Sequence, residues 1–116
     1  MIASLLRRLG PALDPPQSFP HDVALVRNAW ITALGGRLAG MSGPAAAVTI
    51  GTTILLHPET RPTARLLRHE LAHVRQWQAG PLTFPLHYVW CHLRHGYRDN
   101  PYEVEARLAE TAGGSP

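Results

Sequence analysis

A chain of 116 residues with 45% hydrophobic and 16% charged residues has the length and apolar content of one globular domain with a modest core, which excludes a disordered polymer. Eleven basic against eight acidic residues leave a net charge of only +3. The basic residues are scattered arginines rather than a cluster, which argues against a nucleic-acid partner.

The single cysteine, Cys91, excludes an intrachain disulfide and reads as a small buried hydrophobe. Arg7 and Arg8 follow only a short apolar stretch, unlike the basic start and long apolar core of a signal peptide. Residues 38–58 are broken by Gly40, Gly43, Pro44 and Gly51, and residues 76–93 by Pro81, Pro85, His87 and His92. Neither stretch reads as a transmembrane segment. The chain is therefore expected in the cytoplasm, with any membrane contact limited to weak surface association through Phe84, Tyr88 and Trp90.

In chain order, Pro11, Pro15, Pro16 and Pro20 make residues 1–20 an extended lead-in rather than a regular element. A single domain is expected over residues 21–112, with a disordered Gly-Gly-Ser-Pro tail at 113–116. Residues 23–26 form an apolar run of strand type, and residues 28–38 a short helix weakened by Gly35-Gly36. Residues 40–44 are a loop. Residues 46–49 and 53–56 are rich in β-branched side chains and flank Ile50-Gly51-Thr52, which predicts a hairpin with Gly51 in its turn. A helix follows, with Thr60 or Arg61 near its cap and Pro62 in its first turn, ending near Ala79 because Gly80-Pro81 is a stop signal. A second helix is expected over residues 83–94, ended by Gly96. A third starts after Asn100-Pro101, an N-cap followed by proline, and runs to about Thr111.

The first of these three helices carries His69-Glu70-Leu71-Ala72-His73, an H-E-x-x-H pattern. Two histidines four apart lie on one helix face, about 6 Å apart along the axis, so both imidazoles can reach one ion. Glu70 stands beside them, where its carboxylate can take a proton from metal-bound water. Chance alone would give the pattern in about 2 of 100 shuffled chains of this composition, so its surroundings decide its meaning. On a helical wheel, Leu67, Leu71 and Val74 form an apolar arc, and Arg65, Arg68, Arg75 and Gln76 an opposite solvated one. His69, Glu70, His73, Leu66 and Trp77 fall between, at the edge of a core. A catalytic zinc keeps three protein ligands and an open position. Outside the motif the candidates for the third are histidines and carboxylates, with Glu103 and Glu105 in the third helix. Glu103 also stands three after Asn100, where it could instead close a capping box. Tyr97, His95 and Arg98 precede that helix and are candidates to stabilise an oxyanion or bind substrate. A loop tyrosine and solvated charges is the plainer account of each. Trp30, Trp77 and Trp90 read as core or interface aromatics. The spacing of His87 and His92 does not suggest a shared site.

The motif helix and the glutamates after it resemble the gluzincins, the thermolysin-like zinc peptidases whose third ligand is a glutamate on a following helix. Several of those families have a small residue three positions after that glutamate. Ala106 stands three after Glu103 and Leu108 three after Glu105, so the resemblance favours Glu103, with Glu105 as the alternative. Related families often carry an acid four after the ligand glutamate to orient a histidine; here that position is Arg107. A hairpin, motif helix, linking helix and glutamate helix within residues 45–112 resemble the minigluzincins and small zincin-like domains of unknown function. The resemblance implies a minimal zincin-like α+β fold with a small antiparallel sheet, one Zn²⁺ on His69, His73 and Glu103, and Glu70 as general base. It also implies that Thr53, Ile54, Leu55 and Leu56 form the strand along which a peptide or protein substrate is added. The expected function is a zinc metalloendopeptidase. The alternative is a catalytically weak zincin-fold scaffold that binds zinc or a protein partner as an interaction or regulatory module.

Overall fold

The strongest β signal in the sequence lies at the centre of the sheet. In the computed structural model, which describes residues 8–15 and 19–111, β1 (Ala12–Leu13), β2 (Ala24–Arg27), β3 (Ala47–Ile50) and β4 (Thr53–Leu56) form one mixed sheet in the order β1-β2-β4-β3. The hairpin is present as expected: β3 and β4 pair antiparallel from Ala47 opposite Leu56 to Ile50 opposite Thr53. Gly51 turns it with φ of +63°, a conformation that suits glycine. The hairpin is only half of the sheet, however. β4 also pairs parallel with β2, from Ala24 opposite Thr53 to Arg27 opposite Leu56. Parallel strands need a crossover, and helix α1 (Ala29–Leu38) supplies it. Within the lead-in, Ala12 and Leu13 pair antiparallel with Val26 and Leu25, so this stretch holds a short edge strand instead of being wholly irregular. The expected tail at 113–116 lies outside the described residues.

Residue alternation along β3 splits the domain into layers. Val48 sits against Gly35 of α1, whereas Thr49 bonds Glu70 of helix α2 (Ala64–Ala79) on the other side. The α2 side holds the main core, where Leu25, Ile54 and Leu56 meet Phe19, Val23, Leu67, Leu71 and Val74. The apolar arc expected on the motif helix is therefore the arc that packs. Helices α3 (Phe84–Asp99) and α4 (Pro101–Ala109) complete this layer. The result is a small α+β domain, as expected.

Helix boundaries follow local chemistry. Asn28 caps α1 by accepting from Ile31 N at 2.7 Å. The cap of α2 is Thr63, whose hydroxyl accepts from Leu66 N at 3.1 Å. The helix thus starts three residues later than Thr60 would place it, with Pro62 just outside rather than in its first turn. Arg27 explains the longer entry: its Nη1 donates to the carbonyls of His57, Pro58 and Thr60 at 2.9–3.0 Å. That one side chain ties the β4–α2 loop to the end of β2. Gly96, at φ of +81°, breaks the helical geometry as expected, and α3 resumes beyond it to Asp99. Cys91 is half-buried rather than buried.

Gly35-Gly36, a weakness in helix propensity, is a packing requirement. A Cβ on Gly36 would lie 2.2 Å from Gly43 O and 2.7 Å from Ala45 N. Backbone cannot yield as a flexible side chain can, so α1 approaches the 43–45 segment only with glycine there. We expect Gly36→Ala to lower unfolding free energy by about 1–3 kcal/mol, the usual cost of overpacking, despite the better helix propensity of alanine. Chemical denaturation of the two proteins measures this, and an equal or higher stability of the variant would contradict the packing account.

Candidate metal centre

Two helices deliver the site. Helix α2 places His69, Glu70 and His73 on its inner edge, and α4 brings Glu103 opposite them. Glu103 Oε1 lies 3.1 Å from His69 Nε2 and 3.2 Å from His73 Nε2. One candidate ligand atom from each residue lies within 4.8 Å of the others, and the two imidazole rings stand nearly perpendicular with centroids 5.0 Å apart. All three side chains are buried or nearly so. Two imidazole nitrogens and one carboxylate oxygen converging in a dry pocket are a donor set suited to zinc.

The start of α4 explains how Glu103 gets there. Asn100 is fully buried, caps α4 through Tyr102 N at 3.0 Å and donates to Tyr88 O of α3 at 3.2 Å. Pro101 occupies the first turn. Glu103 does not close a capping box; its other oxygen, Oε2, accepts from Tyr88 Oη at 2.5 Å. The small residue three positions on, Ala106, is fully buried. Glu105 points elsewhere, to Gln76 Nε2 at 2.8 Å, so it is absent from the converging set.

Each histidine is also held from behind. Glu110 Oε2 accepts from His69 Nδ1 at 2.8 Å, and Gln76 Oε1 accepts from His73 Nδ1 at 2.8 Å. Such bonds fix the ring so that Nε2 faces the centre. Sequence reading missed both. Glu110 stands seven after Glu103, one turn beyond the Arg107 position where an acid was sought; it is steered by Arg65 Nε at 2.7 Å, and Arg68 Nε binds its carbonyl at 2.7 Å. The helical wheel sets Gln76 on the solvated arc, but α4 covers it. Its amide nitrogen donates to Tyr102 O at 3.0 Å as well as to Glu105.

Glu70 is buried on the sheet side, where Thr49 Oγ1 donates to its Oε1 at 2.8 Å. Trp77 Nε1 binds Thr49 O at 3.1 Å, so edge strand β3 is fastened to α2 at the motif. A cleft of about 310 Å³ opens here, lined by Ala45, Ala46, Ala47, Leu66, Tyr97 and the motif residues His69 and Glu70. Of the three oxyanion candidates, Tyr97 lines this cleft, and His95 and Arg98 are exposed outside its lining. The strand next to the cleft is also corrected. Thr53–Leu56 is an interior strand with all four residues buried and partners on both sides. Its unbroken apolar run is the mark of a strand covered on both faces. The edge strand on this side of the sheet is Ala47–Ile50.

The electrostatics follow from these contacts. Burial alone lowers His73, but its bonds to Glu103 and the nearby carboxylates outweigh that and raise it from 6.5 to about 9. His69 is raised for the same reasons. Glu103, despite burial, is held well below the ordinary carboxylate range by the two histidines. Burial pushes Glu70 up, against the pull of His73 and His69. Burial and the neighbouring carboxylates raise both Tyr88 and Tyr97, keeping their phenols protonated.

Residues 36–81 match a family model described as the eCIS core domain. The match is less than half of the chain. It runs from the end of α1 through the hairpin and the whole of α2. Over this segment the chain is similar to that family; Glu103 and Glu110 lie beyond it. No curated protein and no solved structure matches the chain.

Two outcomes are expected. Glu103→Ala should abolish stoichiometric zinc binding and Glu105→Ala should keep it, while Glu110→Ala should weaken it by about 10–100-fold, as loss of a histidine's supporting carboxylate does. Competition with a chelator measures this, and equal affinities for wild type and Glu110→Ala would refute the supporting role. The second outcome concerns pH. Because His73 is raised in the folded chain, its contribution to metal-free stability is full below 6.5 and is lost as pH rises through about 9. The melting temperature of the metal-free protein should fall across that interval. Zinc affinity should rise over it, with protons released on binding at pH 7. Calorimetry in buffers of different ionisation enthalpy reads the release, and zinc uptake without it would contradict the assignment.

Proposed function

We propose that this protein is a zinc-dependent peptidase of gluzincin type. The observation that carries the reading is the meeting of His69, His73 and Glu103 around one point, with the buried carboxylate of Glu70 beside them and an open cleft in front. His69, His73 and Glu103 would hold the ion. When bound, zinc supplies Lewis-acid chemistry, polarising a peptide carbonyl and acidifying a water molecule.

The remaining steps belong to the chain. Glu70 takes the proton from that water and delivers it to the departing amine. Thr49 holds Glu70 by Oε1, which leaves Oε2 for the proton. Tyr97, kept protonated at the cleft, donates to the negative oxygen that develops on the carbonyl. Tyr88 is committed to Glu103 and keeps that carboxylate in place. Edge strand β3 supports an extended substrate by strand addition. The alanines at positions 45–47 keep the approach to the cleft low and apolar.

Glu70→Gln tests the reading. The variant should retain zinc with affinity close to wild type and lose peptide cleavage by at least about 10²-fold, the scale of a lost general base. Cleavage is read by mass spectrometry of a diverse peptide mixture. Equal cleavage by both proteins would remove Glu70 from the chemistry. Zinc-loaded wild type as inert as the variant would favour a zinc-binding interaction module instead.

A further inference from the structure

Helix α3 divides its side chains sharply. Phe84 and Tyr88 turn inward, packing against each other and against Tyr102 of α4. The opposite arc is apolar and bare. Leu86, Val89, Trp90 and Leu93 are 71%, 55%, 62% and 75% exposed, and Leu82, in the turn leading into the helix, is 84% exposed. At about 100° per residue the four helical members occupy an arc of about 100°, the width of a face meant for burial. With Leu82 they run about 16 Å along the helix direction. Contiguous exposure of this kind marks an interaction surface rather than scattered surface apolars.

The surroundings indicate the partner. No aspartate or glutamate occurs between Leu71 and Arg98, whereas Arg75, Arg94 and Arg98 do; the first acid is Asp99, at the helix end beyond the apolar arc. Arg94 and Arg98 are exposed on or beside α3, and Arg94 neighbours Trp90 on the wheel. Trp90 therefore stands at the border between the apolar arc and the cationic flank, where an amphipathic ring is favoured at a membrane interface. The cleft at the metal centre and a second cavity of about 390 Å³ beside Gln76 and Tyr102 are lined by none of its five residues. Among the described residues no helix is long and apolar enough to cross a membrane, so contact would lie in the interface plane.

We propose that the outer face of α3 docks on an anionic lipid surface, with Leu82, Leu86, Val89 and Leu93 in the acyl boundary, Trp90 at headgroup level and Arg94 and Arg98 against the lipid charge. Phe84 and Tyr88, the aromatics expected for such contact from sequence, serve the interior instead. The proposal is independent of peptidase activity.

Co-sedimentation of the full chain with vesicles tests it, using phosphatidylcholine alone and an equimolar mixture with phosphatidylglycerol. The protein should partition onto the mixed vesicles about tenfold or more better than onto the neutral ones, and high salt should release it. Leu86→Asp with Leu93→Asp, both at exposed positions, should lower partition by roughly tenfold or more, with circular dichroism and zinc content unchanged. Quenching of tryptophan emission by lipid-borne quencher should disappear in Trp90→Ser. No binding to mixed vesicles, equal binding to neutral ones, or binding untouched by the double variant would overturn the proposal. So would a dimer in solution that the double variant dissociates, in the absence of vesicle binding.

Discussion

Everything in this domain converges on one carboxylate oxygen placed between two imidazoles. Glu103 Oε1 sits about equally far from His69 Nε2 and His73 Nε2, in a pocket where an unpaired charge would be costly. That arrangement is stable only if positive charge lies between the groups. In the metal-free chain protons provide it, which is why both histidines are raised and Glu103 is lowered. A divalent cation with three ligands in the same positions meets the same demand. The surrounding bonds of Glu110, Gln76 and Tyr88 hold the three groups at this point.

The fold can be understood as the means of holding two helices at the distance this oxygen requires. The buried central strand β4 gives α2 its packing surface through Ile54 and Leu56. Arg27 fixes the loop that leads into α2, and Asn100 ties the start of α4 to Tyr88 O near the beginning of α3. Ala106 contributes by being small: with no side chain beyond Cβ, it lets α4 lie close to α2. Thr49 links the sheet edge to Glu70, so Glu70 is set by the sheet while the histidines are set by the helices.

Much of this was legible from residue patterns. The H-E-x-x-H spacing placed three site residues on one helix, and Asn100-Pro101 marked the start of the helix that carries Glu103. The hairpin was signalled by β-branched residues around Gly51. What was not legible depends on contacts between segments distant in sequence. The parallel pairing of β2 with β4 joins residues about thirty apart, and local propensity carries no information about such a partner. The resemblance makes β4 a cleft-side strand, although Ile54-Leu55-Leu56 lacks the polar alternation of a strand with a face for solvent. Gln76 looked solvent-facing because a wheel built on one helix cannot know that another covers it. Glu110 carries no signal in the family pattern, which expects an acid four after Glu103, about one helical turn short of it. Gly35-Gly36 counted against a helix by propensity, whereas the close backbone approach at Gly36 makes it part of the packing.

The central claim is that His69, His73 and Glu103 together bind one metal ion through both Nε2 atoms and a Glu103 oxygen. X-ray absorption and anomalous diffraction on the zinc-loaded protein test it most directly. The account predicts one zinc per chain with two nitrogen ligands at about 2.0–2.1 Å and a Glu103 oxygen at about 2.0–2.2 Å. Zinc found on Glu105, on His87 or His92, or on Nδ1 of either motif histidine would contradict it.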